Sequence, residues 1–167
     1  KRQDWENAVK NYLIVGKLNP AFVMASYFKG NVFNDRFNMT KLYNPNWGDS
    51  DDKPRDDFER AGDAYAEVRA NAPNYVQMHH QMGVLHLKKA DWERSRGNQE
   101  QAEKELDTAL HWFQMYRNID PVFPPNYFRM GQVYMIRRQY DKAIEVYNGL
   151  LEERECEVDP ARSARPG

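Results

Sequence analysis

Apolar and small residues recur along the chain at spacings of three and four, which is the period of helices that bury one face. Three sets share gaps of four, three and five residues, each running from an alanine through two larger apolar residues to a proline: Ala8, Tyr12, Val15 and Pro20; Ala61, Tyr65, Val68 and Pro73; Ala109, Phe113, Tyr116 and Pro121. A fourth set begins at Ala143, Tyr147 and Leu150. Proline is accepted in the first turn of a helix but not in its interior, so each proline predicts a junction between two helices.

A glycine stands between successive sets. Gly30, Gly83 and Gly131 each follow the preceding proline by ten residues. A residue without a side chain lets a neighbouring helix approach closely, and the alanines of the sets are small for the same reason. The chain is therefore predicted to form helical hairpins, each of which buries its apolar face only by stacking on its neighbours.

This rhythm resembles the tetratricopeptide repeat (TPR), in which glycine, alanine, aromatic and proline positions recur along a helix–turn–helix unit. The resemblance covers nearly the whole chain and implies an all-α, TPR-like α-solenoid of about three and a half hairpins. It implies one superhelical domain over residues 1–160, with a half repeat at 4–18 and full repeats at 21–71, 74–119 and 124–157. Residues 161–167 are expected to form a frayed tail.

Two of the repeats are much longer than the family length of about 34 residues. In 74–119, the third hairpin when the half repeat is counted, the additional residues are good helix formers apart from Gly97-Asn98. They predict two elongated helices joined at that dipeptide. In the first full repeat, the polar segment 44–54 predicts a long loop before helix resumes at Pro54. Trp47 in this loop anchors it to its own repeat, caps the array, reaches into the groove or contacts a partner, and the sequence leaves these alternatives open.

The resemblance implies that the first helix of each hairpin lines the concave side and that a peptide or protein segment binds there. The stripe beside the glycines is then the predicted ligand groove, with the members Tyr27, Asn31, Asn34, His80, Gln81, Val84, Leu87, Phe128, Arg129, Gln132 and Met135. Amides can bond to a peptide backbone, and aromatic rings offer contact area at low entropic cost. Only Arg129 is basic among them, which argues against a clamp for acidic chain termini. The chain is therefore predicted to be a non-catalytic scaffold that binds protein.

The composition narrows the class of partner. The chain has 167 residues and a net charge of −1, whereas dedicated nucleic-acid binders carry a basic surplus. The single cysteine, Cys156, excludes an intrachain disulfide and a four-cysteine metal site. No uncharged stretch is apolar enough to span a bilayer, and no catalytic or cofactor motif stands out. We therefore expect the chain to bind neither nucleic acid nor a cofactor, and we do not expect this segment to insert directly into a membrane.

Two other functions stay open from the sequence. His79 and His86 lie seven residues apart on one predicted helix face, as in a metal-dependent enzyme, but both positions are tyrosine in the next repeat, which favours packed histidines. The start at a second-type helix without a methionine favours the soluble TPR region of a larger bacterial membrane protein, similar to O-antigen ligases and polymerases. Such a segment would be cytoplasmic or periplasmic, with the parent membrane domain as a further partner.

Overall fold

The computed structural model describes the backbone of residues 2–43 and 53–158 and the side chains of residues 4–37 and 57–153. All regular structure within these residues is helical, which confirms the predicted all-α class. The helices in chain order are α1 (Arg2–Leu18), α2 (Val23–Tyr43), α3 (Lys53–Asn71), α4 (Val76–Ser95), α5 (Gln99–Ile119), α6 (Pro124–Ile136) and α7 (Tyr140–Val158).

The helices pair into three hairpins that stack in chain order. The most extensive contacts join α2 to α3, α4 to α5, and α6 to α7, and α1 packs on α2 as an additional second-type helix. The remaining contacts join each hairpin to the next one along the chain. Within the described residues the fold is therefore a TPR-like α-solenoid in which every unit depends on its neighbours. The division into repeats at 4–18, 21–71, 74–119 and 124–157 stays a prediction.

Each hairpin contains a close approach between a glycine of its first helix and an aromatic ring of its second. A Cβ atom at position 30 would lie 2.5 Å from Cε1 of Tyr65. Cβ atoms at the two later glycines would overlap the rings of Phe113 and Tyr147. Real Cβ contacts of this kind do not occur, so a hydrogen atom is the only substituent that fits. The predicted reason for the three glycines is confirmed.

The elongated pair predicted for 74–119 is also confirmed. α4 has 20 residues and α5 has 21, compared with 13 in α6. Gly97 lies between α4 and α5 and has a φ of +81°, a left-handed conformation that glycine adopts without strain. The helices of the first full repeat are also long, with 21 residues in α2 and 19 in α3. α2 ends at Tyr43 and α3 begins at Lys53, so most of the predicted loop, residues 44–52, lies outside the described residues.

The first helices line the inner side of the stack. α2 contacts α4 and α4 contacts α6, whereas α3, α5 and α7 make no comparable contacts with one another in the part of the chain that the structure describes. The stack is therefore more tightly packed along its first helices. We call the side of α2, α4 and α6 the inner side and that of the second helices the outer side; that the inner side is concave stays a prediction.

Several expectations concern residues outside the described ranges. Trp47, its loop to residue 52, and the tail at 161–167 all lie there. Among the helices within the described residues, none combines the length and the apolar character that crossing a membrane requires.

Replacing Gly83 with alanine should destabilise the second hairpin, because the added methyl group would overlap the Phe113 ring. Overpacking of this kind costs about 1–3 kcal/mol. The matched control is Gly62→Ala in α3, where nothing lies within 4 Å of an added Cβ. Helix propensity alone should stabilise that variant by about 1 kcal/mol. Urea denaturation measures both free energies of unfolding, and equal values would contradict the close approach.

Candidate binding surface

The predicted groove residues differ in exposure from one hairpin to the next. Tyr27, His80 and Phe128 each precede the hairpin glycine by three residues. Tyr27 is 8% exposed and His80 is half-buried, but Phe128 is 59% exposed. The cause is the following hairpin, because Tyr75 lies against Tyr27 with ring centroids 5.0 Å apart and Phe123 lies 5.5 Å from His80. Tyr27 and His80 therefore form junctions between hairpins, and the expectation that they face an open groove is wrong.

Side-chain exposure also increases towards the third hairpin at the position four residues after each glycine. Asn34 and Leu87 are buried at this position, whereas Met135 is 49% exposed. Leu87 belongs to the core cluster formed with α5 and α6 and cannot contact a ligand in this arrangement. Gln81 and Val84 are half-buried between these positions. The predicted stripe is thus covered in the first two hairpins and open in the third.

Asn34 is buried because it connects the first two hairpins through hydrogen bonds. Its Nδ2 donates to Oη of Tyr65 at 3.3 Å and to the main-chain oxygen of Gln81 at 3.4 Å. Tyr65 Oη in turn donates to Oδ1 of Asn31 at 2.7 Å. Burial raises the pKa of Tyr65, so the phenol remains a donor. Asn31, Asn34 and the main-chain oxygen of Gln81 are therefore brought together around Tyr65.

Lys88 completes this connection from α4. Its Nζ donates to Oδ1 of Asn34 at 2.6 Å and to the main-chain oxygen of Asn34 at 3.1 Å, and it lies 3.8 Å from Oδ1 of Asp35. Burial lowers the pKa of Lys88 to about 8, although the Asp35 carboxylate opposes the shift. We call the contacts of Lys88 with Asn34 the Lys88 bridge. It holds α4 against α2 on the inner side of the stack.

Lys88 is not among the predicted groove residues, although the sequence carries a signal for it. It follows Gln81 by seven residues and Val84 by four, so all three lie on one helix face. Beside the consecutive Lys89 it resembles an ordinary pair of surface charges. Its partner oxygens belong to a residue 54 positions away, which a single sequence does not connect to it.

The open part of the surface lies on α6. Phe128 and Met135 are exposed two turns apart on one face, and Phe128 lies 6.0 Å from the Tyr147 ring. Between them, Nη1 of Arg129 donates to Oε1 of Gln132 at 2.9 Å. We call Phe128, Arg129, Gln132 and Met135 the α6 patch. The Arg129 charge also reaches the interior of the inner face, where it contributes to lowering the pKa of Lys88.

His79 and His86 are packed against α5. His79 is buried, with its ring centroid 5.6 Å from that of Trp112, and this burial lowers its pKa. Nδ1 of His86 lies 2.7 Å from Oε2 of Glu105. Burial acts to raise the pKa of Glu105, but the hydrogen bonds with His86 and Gln101 outweigh it and leave this pKa below its usual value. Among the described residues, no group of three or more histidine, cysteine or acidic residues is placed to hold a metal ion.

Comparison with known proteins gives a likeness in structure alone. No family model matches the chain, and no curated protein matches it. A crystal structure of MamA is 17% identical, covers 94% of this chain and 92% of its own, and has a TM-score of 0.43. A crystal structure of MamA protein is 18% identical, with 99% and 90% covered and a TM-score of 0.46. Because both scores lie below 0.5, the fold assignment depends on this chain's own helices and contacts. The hypothesis of a parent envelope protein gains no support here and stays a prediction.

Tyr27→Ala should destabilise the chain, whereas Phe128→Ala, at the same repeat position, should not. Removing a buried aromatic ring costs about 3–5 kcal/mol, and Tyr27 packs against the rings of Tyr65 and Tyr75. Truncating the largely exposed Phe128 should cost under about 1 kcal/mol. Thermal and urea unfolding compare the two variants. Similar losses in both would show that this position is not covered by the following hairpin.

The Lys88 bridge should make stability depend on pH above neutrality. The pKa of Lys88 is about 8 in the folded chain and ordinarily 10.5, so the unfolded chain binds more protons between these values. The free energy of unfolding should therefore rise with pH from about 8. Above pH 10.0 tyrosine acts in the opposite direction, because burial raises the pKa of Tyr116 to about 12.

Lys88→Met should remove the rise in the free energy of unfolding between about pH 8 and pH 10. It should also lower stability by about 1–3 kcal/mol, because the Asn34 oxygens lose their donor. Lys104→Met is the control, since Lys104 is exposed and, among the described residues, its amino group pairs only with Glu100, at 2.7 Å one turn away on the same helix. Urea unfolding at several pH values measures both effects. A Lys88→Met profile parallel to that of the unmodified chain would contradict the assigned titration.

Proposed function

We propose that this chain is a non-catalytic protein-interaction module that binds a peptide or protein segment at the α6 patch on its inner face. The observation that carries the proposal is the exposure of Phe128 and Met135 at repeat positions that are buried or half-buried in the two earlier hairpins. Large apolar side chains grouped in water and flanked by polar residues are typical of interaction sites. Arg129 and Gln132 supply the polar flank.

The earlier junctions indicate which chemistry the segment should carry. Tyr75 and Phe123 each follow a proline by two residues, and each places a ring against the residue three positions before the glycine of the preceding hairpin. A segment that presents an aromatic side chain to Phe128 would reproduce this contact. Such ring pairs contribute about 0.5–1.5 kcal/mol beyond their buried area. Arg129 can add a charge-assisted hydrogen bond to a carbonyl or carboxylate of the segment.

The polar side chains beside the α6 patch support this role, because they are already held by hydrogen bonds. The Lys88 bridge and the bonds among Asn31, Asn34 and Tyr65 engage these groups before any segment binds. A segment that binds alongside does not have to order these side chains, so less conformational entropy is lost on binding.

Selection of peptides from a random display library on the full chain tests the proposal. We expect enriched sequences to contain an aromatic residue, and we expect Phe128→Ala and Met135→Ala each to weaken synthetic versions by about tenfold or more. Ile144→Ala and Leu151→Ala are matched controls, because these apolar residues of α7 are exposed to a similar degree but lie on a second helix. Calorimetry or fluorescence anisotropy gives the affinities.

Recovery of no binding peptide would contradict the proposal, and so would equal losses in the patch variants and the α7 variants. Unchanged urea midpoints in Phe128→Ala and Met135→Ala would show that weaker binding reflects a lost contact and not unfolding.

A further inference from the structure

A cleft of about 560 Å³ lies on the outer side of the stack between α1 and the first hairpin. Val9, Leu13 and Ile14 of α1 form one wall, and Phe33 of α2 and Arg60 of α3 lie opposite. Leu13 and Ile14 are each 46% exposed although they line a recess. We call this recess the outer cleft. It shares no residue with the α6 patch.

In the later hairpins, side chains fill the space between the first helix and the second helix of the preceding hairpin, which is the position of the outer cleft beside α2. Beside α4, the Phe58 ring of α3 lies 5.4 Å from the His86 ring. Beside α6, Arg137 donates to Oε2 of Glu103 at 2.9 Å and to Oδ1 of Asp107 at 2.7 Å, both on α5. In each case the preceding second helix contributes the side chains that close the space.

At the outer cleft, the arginine at the equivalent position contacts the second helix of its own hairpin and not the preceding helix. Arg36 follows its glycine by six residues, as Arg137 does. Nε of Arg36 donates to Oδ2 of Asp57 at 2.8 Å, and Asp57 belongs to α3 and not to the preceding helix α1. The guanidinium of Arg36 also lies 5.4 Å from the Phe33 ring centroid. The space between α1 and this group stays open.

The outer cleft is long and carries two exposed lysines on its rim. Its lining residues on α1 recur at spacings of three and four from Glu6 to Lys17, about three helical turns or about 16 Å. Lys10 and Lys17 lie on this stripe, are exposed, and form no ion pair with the residues that the structure describes. Glu6, Arg36 and Arg60 also line the cleft, but the Arg36 guanidinium is already paired with the Asp57 carboxylate. The positive charge that the cleft offers a partner is therefore that of Lys10 and Lys17, on the rim of the apolar wall.

We propose that the outer cleft binds an acidic amphipathic helix of a partner protein. An elongated recess of about three turns matches a helix laid beside α1, whose apolar stripe would cover Leu13 and Ile14. Glutamate or aspartate residues beside that stripe would reach Lys10 and Lys17 on the rim. This helix would take the place that side chains of the preceding second helix fill in the later hairpins. An anionic membrane shares the charge but is flat, so a recessed apolar wall favours the helix.

A synthetic peptide tests the proposal on the full chain. The probe is a capped, fluorescent peptide of about 14 residues, about 21 Å long as a helix, with leucine at spacings of three and four and glutamate on both sides of that stripe. Its twin carries lysine in place of every glutamate. We expect the glutamate peptide to bind with a Kd of about 10–100 μM that weakens as salt is added, and the lysine twin to show no measurable binding.

Variants locate the binding. Lys10→Glu with Lys17→Glu should weaken the glutamate peptide at least about tenfold, because both rim charges are reversed. Arg94→Glu with Lys104→Glu reverses two exposed charges elsewhere and should leave the affinity unchanged. Phe128→Ala should also leave it unchanged, so failure here and failure of the α6 patch are distinguishable. Circular dichroism confirms that each variant remains folded.

Three outcomes would overturn the inference. The first is equal binding of the lysine twin or no binding of either peptide. The second is full affinity in the Lys10→Glu, Lys17→Glu variant. The third is binding to phosphatidylglycerol vesicles without binding to the peptide, which would make the cleft part of a membrane-binding surface.

Discussion

The contact between a backbone without a side chain and an aromatic ring sets the geometry of every hairpin in this chain. Where Gly30 meets Tyr65, the ring lies directly on the helix backbone, and the two helix axes are held close together. The same ring then carries its hydroxyl group to Asn31 and Asn34 on the inner face. One side chain thus both packs the hairpin and begins the polar network that joins it to the next hairpin. The position of the inner surface follows from the packing of the core.

The packing of the two helices in each hairpin can be predicted from the sequence, because steric exclusion allows few residue types where the helices touch. Two helices that approach this closely need a very small residue at the contact, so the glycines and alanines that recur at fixed spacings in this chain mark the close approaches. The turn at Gly97 is visible for a similar reason, since its φ of +81° favours glycine.

The candidate site could be predicted only in part, because exposure depends on the rotation between successive hairpins. Tyr27 and Phe128 have the same spacing from their glycines, yet one is covered by Tyr75 and the other is largely exposed. That difference arises from what stacks on each hairpin, which a repeat pattern does not encode. Lys88 illustrates the same limit, since its burial results from a contact with a residue on another hairpin. The sequence therefore identifies the helix face but not which part of it is open.

The Lys88 bridge has a mechanical consequence for the whole superhelix. In a solenoid each unit contacts only its neighbours. A change of angle at one junction therefore changes the orientation of every later unit. The bridge lies at the first such junction, between α2 and α4, where a small tilt moves α6 and α7 over the longest lever arm. One amino group and the two oxygens that hold it therefore join the Tyr27–Tyr75 ring contact in fixing how the later units are oriented.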